Sequence, residues 1–103
     1  MGMFYTDSFV NNNLDVLNSV NEKVLEEDFK SAKKLCHRAI EDFEKKEVVF
    51  SLFLNHGLIE NLEAELSQLP DLADKESENL FLSKLSKTKR LLLELKKSQK
   101  HIF

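Results

Sequence analysis

The chain has 103 residues, 42% of them hydrophobic and 32% charged, with a formal net charge of −3. That is the length of one domain and too apolar for a disordered tail, and the acidic balance excludes a dedicated nucleic-acid binder, which carries a strongly basic face. Two glycines and one proline exclude a β-sandwich or barrel, which needs a turn every ~8–12 residues.

Apolar residues recur at helical spacing from one end to the other. In the first segment Val10, Leu14, Leu17, Val20 and Val24 step by three and four, and Thr6, Asp7 and Ser8 offer capping oxygens ahead of them. This predicts a helix over 7–26. Residues 1–6 read as an appended, unstructured start, so that 7–103 form a single helical domain. No stretch approaches the ~18 consecutive apolar residues of a membrane span, and the first residues lack the basic and apolar regions of a signal peptide. An anchor upstream of Met3 is consistent with that start.

The second segment opens at Asp28, a good N-cap, with Phe29, Ala32, Cys36, Ile40 and Phe43 on one stripe. Phe50, Leu54, Leu58, Leu62, Leu66 and Leu69 continue it in phase, so the spacing predicts one long helix over 29–69, stopped by Pro70. Glu44-Lys45-Lys46-Glu47 and Asn55-His56-Gly57 are places for a bend rather than a stop; an interior glycine weakens a helix by about 1 kcal/mol relative to alanine. The third segment, 74–100, has a wide apolar stripe: Leu80, Phe81 and Leu82, then Leu91, Leu92 and Leu93. A helix this apolar is covered on more than one side, which three helices alone do not achieve. The expectation is an all-α, antiparallel three-helix bundle with a long central helix, completed by a protein partner or a second copy. A faint internal echo suggests two stacked helical hairpins sharing the middle helix.

Charge is unevenly spread. Residues 1–78 hold seventeen acids against eight bases, whereas 79–103 hold one acid, Glu94, against seven bases. The basic end lies beside the acidic segment of Glu60, Glu63 and Glu65, or else meets an anionic surface through Lys84 to Lys100.

The run Phe50-Ser51-Leu52-Phe53-Leu54-Asn55-His56-Gly57-Leu58-Ile59-Glu60-Asn61-Leu62 resembles the central signature of the bacterial domain of unknown function 4363. That signature is an aromatic, usually Trp, then a Phe-Ile-Asp-His-like step, then an acid and an Ile/Leu pair. His101-Ile102-Phe103 is similar to the family's closing residues. The resemblance covers about 14–103 and departs from the pattern at Phe50, in place of Trp, at Asn55, in place of an acid, and in an irregular loop around Pro70 to Ser77. It implies a small protein of Firmicutes with one N-terminal membrane helix, here removed, and a helical domain on the outer face of the cell membrane. It implies no chemistry.

The residues themselves point away from catalysis. The positions three before His37, His56 and His101 are Lys34, Phe53 and Ser98, so the Glu-x-x-His pairs of a bundle di-iron site are missing. A lone cysteine forms neither an internal disulfide nor a cysteine zinc site. Cys36 and His37 point ~100° apart on a helix and cannot share a proton; Cys36 reads as a small core residue. Gly2 and Gly57 are too far apart for a phosphate loop. The expectation is therefore no enzyme, no cofactor and no metal. His56, Glu60 and Glu63 share a face, a pattern that reads first as a solvated surface or a His–Glu pair, with a divalent-ion or ligand sensor as the alternative. His56 fits a binding contact or a cap on a bend. The leading functional expectation is a non-catalytic interaction module whose apolar contact surface is Leu80, Phe81, Leu82, Leu91 and Leu93. Its place is the outer face of the membrane, or alternatively the cytoplasm.

Overall fold

In a computed structural model of the chain, residues 2–53 and 55–102 are described, with side chains at 7–52 and 55–97. Expectations placed on Leu54 and Phe103, and on the side chains of 1–6, Lys100, His101 and Ile102, lie outside what is described. Four helices follow one another among those described: α1 (Gly2–Leu25), α2 (Phe29–Phe53), α3 (His56–Leu72) and α4 (Glu78–Ile102). Each packs on two neighbours, α1 and α3 both lying against α2 and α4. The connections are short, so consecutive helices run antiparallel in an up-down-up-down bundle. Two polar contacts between distant parts of the chain bear this out: Lys96 Nζ on α4 lies 3.4 Å from Asn11 Oδ1 on α1, and at the opposite end Lys75 pairs with Glu27.

The class is all-α, as expected, but the three-helix bundle is corrected to four. The predicted helix over 29–69 folds back at Asn55. There the backbone is extended (φ −60°, ψ 119°) and the Asn55 side chain accepts the Leu58 N–H, so an asparagine that competes poorly for a helix interior acts as the N-cap of α3. Gly57 is not the source of the break; it lies in the first turn of α3 and has no positive φ. Each arm of the resulting hairpin buries a stripe in the same core, and the two stripes happen to meet in phase across the turn. Period identifies a helix, not its direction. Pro70 is likewise not the stop: α3 runs on to Leu72, with the Ala73 N–H donating to the Pro70 carbonyl at 3.3 Å.

The other boundaries have local causes. α1 begins at Gly2 rather than at 7. It ends in a Schellman arrangement, with Asp28 N–H on the Lys23 carbonyl (2.8 Å), Glu27 N–H on the Val24 carbonyl (3.0 Å) and Glu27 at φ 62° in the position that glycine favours. Asp28 caps α2 as expected, accepting the Ser31 N–H at 3.2 Å; hydrogen bonding from the Ser31 side chain first, and then from its backbone N–H, holds the Asp28 carboxyl below the usual aspartate range. α4 starts at Glu78 rather than at 74, because Asp74 accepts the Ser77 N–H at 2.7 Å and closes a turn first.

The core is graded along the bundle. Near the α1–α2 turn, α2 buries only Ala32, Cys36 and Ala39, which lets α1 approach closely. Toward the α2–α3 turn it buries Phe43 and Phe50. Phe9 of α1 joins them, its ring 4.8 Å from Phe50 edge-on and 6.1 Å from Phe43. The aromatic position of the sequence signature, Phe50, is thus a core residue. Leu62, Leu69, Phe81, Leu85 and Leu95 complete the core from α3 and α4. Most of the wide stripe of α4 also finds its reason here: α1 and α3 of the same chain pack on α4 from two sides, leaving Leu80 and Leu93 outside that cover.

Candidate functional site

α2 and α3 leave a shallow groove between them on the outside of the bundle, and the charged residues along it are sorted by end. Near the Asn55 turn lies a recess of ≈ 210 Å³ lined by Ile40, Phe43, Glu44, Glu60 and Glu63. His56 Nε2 sits 3.0 Å from Glu60 Oε1, with both side chains exposed. Glu63 does not join that pair; it hydrogen-bonds to Glu47 across the groove. The shared hydrogen bond, then burial and the like charges of Glu63 and Glu44, hold the Glu47 carboxyl above the usual glutamate range.

At the other end of the groove a recess of ≈ 390 Å³ is lined by Phe29, Lys30, Lys33, Lys34, His37 and Ala73. The lysines are exposed. Among the described residues Lys30, Lys33, Lys34, Glu44, Glu47 and Glu63 form no ion pair. This basic row escaped the sequence reading, although its signal was present: positions 30, 33, 34 and 37 keep the three-and-four spacing that identified the apolar stripes.

The expected apolar contact surface on α4 divides. Phe81 and Leu91 are buried in the core and Leu82 packs against it, while Leu80 and Leu93 are 52% and 45% exposed. Only the last two face outward as a contact surface requires. Exposed apolar side chains also occur on α2, where Val48 and Leu52, one turn apart, are each 73% exposed.

Of the basic C-terminal helix, Lys84 and Lys87 turn inward to one acid. Their Nζ atoms lie 3.5 Å from Oε1 and Oε2 of Glu65, which is nearly buried. The two strands of charge noted in the sequence therefore meet, in part, within the chain. Cys36 is fully buried, and burial pushes its thiol up to about 12, far from the thiolate a nucleophile needs. Among the described residues no three His, Cys, Asp or Glu side chains converge as a metal site would require. No described helix is long and apolar enough to cross a membrane.

No curated protein and no solved structure matches the chain. The family described as domain of unknown function (DUF4363) matches it over residues 1–103, a wider span than the motif around Asn55 carries by itself. The chain belongs to the DUF4363 family.

Proposed function

We propose that the chain is a non-catalytic helical interaction module that meets a protein through its α2–α3 face, displayed on the outer side of a bacterial membrane by an N-terminal anchor. The observation that carries the interaction is the groove itself. Among the described residues, Lys30, Lys33 and Lys34 at one end and Glu44, Glu47 and Glu63 at the other stand without ion-pair partners, although oppositely charged side chains on α3 and α4 do pair with each other. Exposed ion pairs contribute little to folding, so unpaired charge sorted along one groove suits recognition of a partner better than stability of the fold. The placement outside the membrane rests on the family resemblance.

Position-specific photo-crosslinking in the native cell tests both parts. A photoreactive residue at Lys34 is expected to give one discrete adduct, while the same residue at Ser86 on α4 gives none; equal labelling from both sites contradicts the module. Protease added to intact cells is expected to digest the chain, and protection would place it inside.

A further inference from the structure

The charges of the groove are arranged so that the face complements itself. Lys33 and Glu47 are fourteen residues apart on α2, about 21 Å along the helix at ~1.5 Å per residue. Midway between them is Ile40, partly buried and packed on the core, where it lines the acidic recess. Rotating the chain by half a turn about an axis through Ile40, perpendicular to the helices, lays α2 antiparallel on α2 of a second copy. The basic end of each chain then faces the acidic end of the other, with apolar Ile40 at the centre. An axis parallel to the helices would instead set lysine on lysine and glutamate on glutamate, which costs several kcal/mol in repulsion. The molecule measures 42 × 21 × 19 Å, so its long face can supply the ~800 Å² per partner of a standard interface.

We propose that the α2–α3 face pairs with the same face of a second copy, antiparallel, so that Lys30, Lys33 and Lys34 of each chain lie against Glu44 and Glu47 of the other. The pairing rests on the interaction reading above and names its partner. It explains two features that the isolated chain leaves open. Glu47 and Glu63 crowd together where cations from the second copy can neutralise them, and Lys33 and Lys34, which form no ion pair among the described residues, gain anionic partners. The contact is isologous, each charge pair occurring twice, which doubles the effect of any single substitution.

Sedimentation of the purified full chain over a wide concentration range tests the pairing. The wild type is expected to pass from one chain to two as concentration rises, and to do so less readily at high salt. K33E/K34E reverses the charge that α2 presents at its basic end, and E44K/E47K reverses the charge that it presents at its acidic end. Each variant is expected to weaken self-association by roughly tenfold or more while keeping the helical circular dichroism of the wild type. An equimolar mixture of the two is expected to restore a dimer, because each then supplies what the other lacks.

A wild type that stays monomeric throughout overturns the proposal, as does a mixture that does not associate. Salt-sensitive binding of a monomeric wild type to phosphatidylglycerol vesicles, lost in K33E/K34E, would overturn it in favour of a lipid surface. A discrete cellular adduct whose mass differs from two chains would overturn the pairing and leave the interaction reading standing. Loss of the adduct together with a monomeric wild type would remove both.

Discussion

The Asn55 side chain accepts the Leu58 backbone N–H at 3.1 Å, and that bond stands where the chain reverses between α2 and α3. Removing the cap with Asn55→Ala is expected to lower stability by about 1 kcal/mol. Asn55→Asp keeps an acceptor at the same place and is expected to stay near wild type. An acid at this place, as in the signature the chain resembles, would serve as an equally good N-cap. Urea unfolding of the three proteins makes the comparison; equal loss in both variants would contradict the capping role.

Phe9, Phe43 and Phe50 meet at the end of the bundle nearest the α2–α3 turn, and Phe43 and Phe50 are each 1% exposed. Phe50→Ala is expected to cost about 3–5 kcal/mol, a large share of the ~5–15 kcal/mol that holds a domain together. Leu93→Ala on α4, already 45% exposed, is expected to stay within ~0.5 kcal/mol. Thermal unfolding separates the two; similar effects would mean that the graded core is misplaced.

Much of this architecture is legible in the residues, and what is not has a physical reason. Helix type, the Asp28 cap and the burial of Cys36 follow from spacing and from capping chemistry, both of which are local. The count of helices does not, because the stripe from Phe29 to Leu69 keeps its phase through Asn55. The cue was chemical: an asparagine before a histidine and a glycine. The α4 stripe signalled cover on two sides correctly, but a helical pattern is silent on whether that cover comes from the same chain. The basic row at Lys30, Lys33 and Lys34 was masked by a net charge of −3 that averages opposite ends of one face.

Glu47 gives the fold a defined pH dependence. Its carboxyl titrates above 4.5 in the folded chain, chiefly through the Glu63 hydrogen bond. The unfolded chain therefore binds fewer protons between that value and the raised one, so this group's contribution to stability falls as pH rises through the window. Glu47→Gln is expected to raise the melting temperature slightly at pH 7 and to leave it unchanged well below 4.5, measured by scanning calorimetry at low salt. A difference of the same size at both ends of the range would rule out the shared carboxyl.

Cys36, buried between Ala32 and Ala39 with its thiol pushed up to about 12, is expected to resist alkylation at pH 8 in the folded protein. Labelling should follow opening of the bundle and speed up with urea. Cys36→Ser, which sets a hydroxyl into an apolar site, is expected to destabilise by about 1–3 kcal/mol. Rapid labelling of native protein would show that α1 and α2 do not close over the thiol.

The paired α2–α3 face is tested most directly by small-angle scattering from the full chain as its concentration is raised. Side-by-side antiparallel pairing predicts twice the 12.0 kDa mass with almost no increase in the longest dimension, because the second copy thickens the particle across its 21 and 19 Å widths. A mass that never leaves one chain, or a doubled mass with a doubled length, contradicts it.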